Sequence, residues 1–427
     1  MLLLDLTKKS INVLIIRSCG VLLLFGFTLF ITNFFSPEDV GRYDFVRSAL
    51  NILGGLALMG TNQAIIYYSG FLKARANEMS IKYIYFNMIK IVFSVSVILL
   101  LLHFFLINEN TFNKLFNNQE AYSLISKTVF SLIFFTTTML NIDTIRALNH
   151  TVFSEVYRNI LRYVPIFLFS ILLFLFEMEE LIVEAYLVGF FILSTISTTY
   201  VLIKLNKTKV AKKTILRFSS KDILLTSAPM ALSAIAYFIM QSIDVIILSI
   251  YKGFEEIAFY SVSVKLATLT ALALMSVNIV VAPKIAEIFE NKDMATLQQL
   301  VKNSTRIIFL ISICVLSILF FFSEEILNLF GEGYVVAKNA LIFLLAAQFF
   351  NAVSGPGAIY LNMTGRQKIL NKILIVGLVV NITLNFYLIP YHGINGAAIA
   401  TLVSIIIWNS ITTLLIFYKD KIKIFLN

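Results

Sequence analysis

Residues 255–278 read EEIAFYSVSVKLATLTALALMSVN, and residues 38–62 read EDVGRYDFVRSALNILGGLALMGTN. Both stretches open on two carboxylates and reach a tyrosine, Tyr260 or Tyr43, at the same offset. Both then run into Leu-Ala-Leu-Met and an asparagine, with one residue skipped near Gly54 to hold the match. An echo that includes a loop, an aromatic and an apolar run predicts a duplicated architecture. Whether the copies are parallel or inverted depends on how many membrane crossings lie between them.

That the chain crosses a membrane is dictated by composition. Of its 427 residues 59% are hydrophobic and 14% charged, with a mean hydropathy of +0.88. Soluble chains are about 45–50% apolar and about 25% charged. Apolar runs close to 20 residues recur along the whole length, matching the bilayer core. Helices satisfy their own backbone in lipid, so the composition predicts an all-α polytopic membrane protein. The first residues, MLLLDLTKKSINVLIIRSCG, are expected to form a short cytoplasmic lead-in rather than a signal peptide, because the apolar run after the lysines continues for a full span. Two cysteines and three histidines offer neither a disulfide framework nor metal spacing. Cys19 and Cys314 are expected to be buried small hydrophobes, and no metal or cofactor is expected.

Twelve spans are predicted, over residues 11–33, 45–69, 84–107, 121–142, 156–176, 181–203, 223–250, 257–282, 304–322, 338–361, 370–389 and 396–418. Their orientation is set by the loops, because Lys and Arg accumulate on the cytoplasmic side. Of 34 basic residues, 25 fall in one alternating set of segments and 5 (Arg42, Arg47, Lys114, Lys252 and Lys338) in the other; the remaining 4 lie inside spans. Both termini are therefore expected in the cytoplasm. The net charge of +10 reads as this bias and not as a nucleic-acid surface.

The longest basic stretch, KLNKTKVAKKTILRFSSKD, sits at the midpoint. It predicts an N-terminal lobe at 1–203 (helices 1–6), a basic cytoplasmic linker at 204–221 and a C-terminal lobe at 222–427 (helices 7–12). Six crossings separate the two copies of the echo, so they face the same way. This is a parallel repeat, giving two pseudo-symmetric six-helix bundles. The sequence has no Gly-rich Lys-Ser/Thr phosphate loop. Its extramembrane segments are short, as in NENTFNKLFNNQE, which disfavours a membrane-embedded polysaccharide polymerase. The expected class is a transporter whose bundles rock around a central cavity.

Four stretches carry a family resemblance: FFSPEDVGRYDFVRSALNILGGLALMGTNQAIIYY, SAPMALSAIAYFIMQSIDVIILSIYKGFEEIAFYSVSVKLATL, GPGAIYLNMTGRQK and YHGINGAAIATLVSIIIWNS. In order and spacing they resemble the polysaccharide flippases, of the O-antigen-flippase type, in the multidrug/oligosaccharidyl-lipid/polysaccharide (MOP) exporter superfamily. The resemblance covers essentially the whole chain. It implies a MATE/MOP-like fold, no enzymatic activity and a bacterial inner-membrane setting. It also implies export of an undecaprenyl-pyrophosphate-linked oligosaccharide to the outer leaflet, for lipopolysaccharide or another surface polysaccharide. The polymerase and chain-length machinery of the same pathway are the expected partners, with no nucleic acid, and the protein is expected to be a monomer. A MATE-type cation-coupled small-molecule antiporter is the first alternative, and a polymerase the second. A lipid II flippase would usually carry two more helices, and a teichoic- or teichuronic-acid exporter differs only in cargo.

A pyrophosphate cargo predicts positive charge inside the membrane. The candidates are Arg17 in span 1, Arg47 in span 2, Lys90 in span 3, Lys127 in span 4 and Lys265 in span 8. In the repeat alignment Arg47 falls one position from the equivalent of Lys265. Charge at mid-membrane costs about 2.5–3.5 kcal/mol on insertion scales, so it usually faces a wet interior; each long side chain can alternatively snorkel to the interface. Asp244 in MQSIDVIILS is either a salt-bridge partner of a cation such as Lys265 or a proton or sodium coupling site. Glu155, Arg158 and Arg162 share a helix face at i, i+3 and i+7, and Asp143 with Arg146 are similarly spaced; both sets read as interfacial clusters. Pro229 is expected to kink span 7, the Gly355-Pro356-Gly357 run to break span 10, and residues 391–396 to form a tight turn before span 12. Moving about two negative charges outward gains roughly 2.3 kcal/mol per charge per 100 mV, so membrane potential alone could bias the flip.

Overall fold

The computed structural model describes residues 2–74, 80–116, 118–207 and 218–426, and these contain helices and no strand. The helices are α1 (Leu2–Phe34), α2 (Pro37–Leu58), α3 (Thr61–Ala74), α4 (Ser80–Leu106), α5 (Glu109–Leu115), α6 (Ala121–Ala147), α7 (Thr151–Val156), α8 (Val164–Leu175), α9 (Ile182–Lys207), α10 (Ser220–Met240), α11 (Ile243–Tyr251), α12 (Phe254–Glu290), α13 (Met294–Phe321), α14 (Ser323–Asn328), α15 (Lys338–Ser354), α16 (Gly357–Met363) and α17 (Gln367–Asp420). Among the described residues nine helical runs are long and apolar enough to cross a membrane, or eleven if each of two bent pairs is one span. The chain forms two compact units, Met1–Ser242 and Ile243–Asn427. Residues 208–217 of the expected linker lie outside the described residues.

Both copies of the sequence echo open a helix. Glu38 and Asp39 occupy the first turn of α2, and Glu255 and Glu256 the first turn of α12. Carboxylates there complement the exposed amides of a helix start. Ser36 caps α2 by accepting from the Asp39 amide at 3.1 Å, with Pro37 next, where its missing N–H costs nothing. Tyr43 and Tyr260 are each 1% exposed, so the repeated tyrosine is a core residue in both units. The copies then diverge. α2 ends at Met59, which takes a left-handed conformation, and the chain bends 44° into α3, whereas α12 runs on for 37 residues.

The first unit is organised around α6, which packs on α2, α3, α4 and α9. The sequence TTTMLNIDT puts polar groups on a helix that has lipid rather than water around it. Its hydroxyls turn back on their own helix: Thr128, Thr136, Thr138 and Thr144 each donate to the carbonyl four residues earlier at 2.7–2.8 Å. Asn141 ties three helices together. It accepts from Tyr85 of α4 at 2.7 Å and donates to Ser197 and Thr198 of α9 at 3.0 and 2.9 Å. Such interhelical bonds hold membrane bundles where the hydrophobic effect does not.

The expected span 7 is two helices. α10 bends 53° between Ala228 and Met230, as Pro229 requires, and stops at a turn where the Ser242 amide donates to Ile239 O. α11 then begins in the second unit, so the predicted continuous span 223–250 is corrected to a broken one. Gly355 and Pro356 separate α15 from α16 as expected.

The second unit is built on α17, α15, α12 and α13. α17 has 54 residues, about 81 Å if straight, but it folds back on itself. Asn381 Nδ2 and Thr401 Oγ1 are 3.5 Å apart, whereas twenty residues of straight helix would put them about 30 Å apart. The reversal is at Gly393, with φ 50 and ψ −130, which only glycine adopts readily. Gly396 completes it: a Cβ there would lie 2.6 Å from the Leu388 carbonyl. The expected turn over 391–396 is thus one reversing glycine and one close-packing glycine. Below it, Tyr360 donates to Asp420 at 2.8 Å and Arg366 pairs with the same carboxylate. Cys19 and Cys314, expected to be buried, are exposed; on a surface that faces acyl chains a small apolar side chain gains nothing from burial in protein.

Candidate functional site

In the first unit the sequence picked out four cations, and the structure finds carboxylate partners for three. Arg17 of α1 makes a two-pronged pair with Glu155 of α7, Nε to Oε2 at 2.9 Å and Nη2 to Oε1 at 3.1 Å. The Glu155 side chain is 3% exposed and that of Arg17 31%. Arg47 pairs with Asp44 one turn earlier in α2 at 2.8 Å, and Asp44 is fully buried. Lys127 of α6 meets Glu184 of α9 at 2.5 Å, in an open groove of about 540 Å³ with Phe104, Phe130 and Phe191. Phe130 and Phe191 are exposed, so this pair lies on the outward apolar side. Lys90 is exposed and shares a separate groove with Asn87, Phe218 and Asp222. The four cations therefore sit in separate local environments and do not form one cluster.

Two expected clusters are rearranged. Asp143 pairs with Arg158 at 2.5 Å and accepts from Asn62 at 3.3 Å, not from Arg146. Glu155 pairs with Arg17, not with Arg158 or Arg162. The cause is local: the Arg162 amide donates to Tyr157 O, five residues back, at 3.1 Å. Residues 157–161 thus form one wide turn, and a wide turn rotates the residues beyond it out of the α-helical register. Close approach of α1 permits the Arg17 pair. A Cβ at Gly20 would lie 2.4 Å from Asn159 O, so glycine is what lets α1 lie against the wide turn.

In the second unit Lys265 is buried, 6% exposed, on α12. Asp244, 9% exposed, stands in the first turn of α11 and is held by neutral donors: Tyr260 Oη at 2.9 Å, Asn385 Nδ2 at 2.6 Å and Thr401 Oγ1 at 2.6 Å. Asn385 Nδ2 also donates to Asn381 Oδ1 at 3.1 Å. These hydrogen bonds take the place of the expected Lys265 salt bridge. Asn385 Oδ1 is buried without a hydrogen-bond partner, so the nest keeps an uncommitted oxygen. The polar partners were not singled out from sequence, but they had a signal. GLVVNITLNFYLIP carries Asn381 and Asn385 at i and i+4 inside an apolar run, and intramembrane polar residues on one face mark a functional surface. The reversal at Gly393 brings Thr401 alongside.

The sequence profile of the family described as polysaccharide biosynthesis protein matches residues 6–289, and that of the MatE family matches residues 229–387. A putative O-antigen transporter of Shigella flexneri is 28% identical over 180 residues, covering 42% of each chain. A probable low-salt glycan biosynthesis flippase of Haloferax volcanii is 24% identical over 173 residues, covering 40% of this chain and 37% of that one. The chain spans between 37% and 57% of the length of the curated relatives it matches. Among solved structures, the lipid II flippase MurJ in an inward closed conformation superposes with a TM-score of 0.75, covering 97% of this chain and 89% of that one at 16% identity. At that identity the likeness speaks for the fold alone, and the fold is that of these polytopic transporters.

Proposed function

The chain belongs to the polysaccharide biosynthesis protein family, a MOP-superfamily group of translocators rather than enzymes, and we propose that it flips a lipid-linked oligosaccharide for surface-polysaccharide assembly. The cargo is an undecaprenyl-pyrophosphate-linked repeat unit, moved from the cytoplasmic to the outer leaflet of the plasma membrane. The observation that carries this reading is the sign of the embedded charge. In the first unit Arg17, Arg47 and Arg158 are each paired with one carboxylate, Glu155, Asp44 and Asp143, and Arg162 has no ion-pair partner among the described residues. An acidic cavity for organic cations would need the opposite balance. In this reading the last run crosses twice, once on each side of Gly393, and both termini are cytoplasmic. The protein acts as a monomer beside the polymerase of its pathway.

Asp244 is the coupling site in this reading. One carboxylate held by the hydroxyls of Tyr260 and Thr401 and the Asn385 amide, with Asn385 Oδ1 uncommitted beside it, suits a proton, or sodium once those donors rotate, better than a divalent ion; one formal charge balances one. No group of three metal-ligating side chains exists among the described residues. A second reading, a cation-coupled small-molecule antiporter, is favoured by the MatE match over 229–387 and shares this coupling site. Deleting the gene in its own host separates the two. A flippase leaves lipid-linked oligosaccharide in the inner leaflet, protected from added lectin, with surface polysaccharide lost. An antiporter leaves the polysaccharide intact and raises sensitivity to cationic dyes.

A further inference from the structure

At 3.6 residues per turn Glu155, Arg158 and Arg162 would share one face, and one set of partners would serve all three. The wide turn over residues 157–161 divides them. Glu155 goes to Arg17 and Arg158 to Asp143. One extra residue in a turn rotates the helix beyond it by roughly 100°, and Arg162 swings to α6 and α9. Its guanidinium carbon lies 5.9 Å from the ring centroid of Phe135 and 5.9 Å from that of Phe190. These rings meet edge-on at 5.0 Å; Phe190 in turn contacts Tyr186 at 5.2 Å, and Tyr186 contacts Tyr43 at 5.0 Å.

Three features single this place out. Among the described residues no carboxylate lies within ion-pair distance of Arg162, whereas Arg17, Arg47 and Arg158 each have one. Tyr186 is 4% exposed, and its buried hydroxyl stands beside Arg162 without forming a hydrogen bond of good geometry. Arg162 also lies about 16 Å along the apolar run Thr151–Leu175, near the middle of that run. An unmatched arginine and an unmatched phenol there are each costly, and stacked aromatic rings recover only part of the arginine's loss. The guanidinium stands close enough to donate to the phenol oxygen, but its other N–H groups and the phenol O–H have no acceptor among the described residues.

We propose that Arg162 and Tyr186 form an anion-binding pair that takes phosphoryl oxygens of a phosphate ester, and that the wide turn aims the arginine into it. A guanidinium offers two parallel N–H groups matched to a phosphate edge, and the phenol supplies a third bond from the side. The aromatic walls exclude water and strengthen all three. This assigns the cargo contact to Arg162 instead of Arg17 and Arg47, whose forks are committed to Glu155 and Asp44. The inference rests on the flippase reading for the identity of the phosphate, which belongs either to the cargo diphosphate or to a bilayer phospholipid.

The test is binding to purified full-length protein in a phosphate-free detergent, with undecaprenyl diphosphate, phosphatidylglycerol and inorganic pyrophosphate as separate probes. Undecaprenyl diphosphate is expected to bind the unaltered protein. Arg162→Gln should weaken it roughly 10- to 100-fold and Tyr186→Phe roughly 3- to 10-fold, as for lost charged and neutral hydrogen bonds. Arg162→Lys, which keeps the charge without the fork, should fall between. Tyr186→Phe preserves the packing, so a folding failure of Arg162→Gln leaves a usable variant. Unchanged affinity in the folded variants overturns the pair and leaves the flippase reading standing. Arg162-dependent binding of phosphatidylglycerol or pyrophosphate alone upholds the pair and removes the lipid-linked cargo. Absence of binding to all three probes overturns both.

Discussion

Arg17→Gln tests whether that arginine is architecture or cargo contact. The pair it makes with Glu155 is two-pronged, and the Glu155 side chain is almost fully enclosed. Removing one partner of a buried pair costs about 3–5 kcal/mol, chiefly because the other charge is stranded. Arg17 keeps nearly a third of its surface exposed, and Glu155 retains a bond from Asn159 Nδ2 at 3.0 Å. Both lower the figure, to about 2–3 kcal/mol, roughly a 30- to 150-fold change in the unfolding equilibrium. In Arg17→Gln/Glu155→Gln no charge is stranded, and most of the loss should return. A double-mutant cycle read by denaturant-induced unfolding in mixed micelles measures this directly. A coupling of about 2 kcal/mol is expected, together with transport restored in the double variant. Additive effects would refute the ion-pair account, as would transport that stays lost in a double variant of normal stability; either would return Arg17 to the cargo path.

Sodium, Gly393 and Gly20 supply three further tests. Saturating sodium, at about 100 times its Kd, should stabilise the protein by about 2.7 kcal/mol and Asp244→Asn should abolish that shift in a thermal-unfolding series; a response to pH with none to sodium would make the coupling ion a proton. Gly393→Val should cost about 1–3 kcal/mol through its backbone conformation and separate Asn381 from Thr401, so a thermal midpoint equal to the unaltered protein's would contradict the reversal described. Gly20→Val should push α1 from the wide turn and lengthen the Arg17–Glu155 pair, giving a stability loss not additive with that of Arg17→Gln; full additivity would show that the contact does not hold the pair.

The fold was largely legible because its signals are repetitive. Apolar runs report the helices, the echo around Tyr43 and Tyr260 opens one helix in each unit, and Pro229, Gly355 and Gly393 mark breaks that are seen. The site was less legible, for two physical reasons. Ion pairing depends on contacts far apart in sequence: Arg17 meets Glu155 and Asp143 meets Arg158, partners no local spacing reveals. Helical periodicity also assumes an unbroken register, and the wide turn after Tyr157 removes that assumption where Glu155, Arg158 and Arg162 were grouped. The Asp244 nest lies between these cases. The carboxylate stood out as a lone charge in an apolar run, while Thr401 joins it only through the reversal at Gly393.

The most direct measurement is translocation by the purified protein in sealed vesicles, loaded with fluorescent undecaprenyl-pyrophosphate oligosaccharide in both leaflets and probed with an impermeant reagent that quenches the exposed label. The account predicts that quenching proceeds beyond the half accessible in empty vesicles and accelerates when an imposed potential favours outward movement of negative charge. Quenching that stops at that half, with the protein folded and its orientation verified, would contradict it.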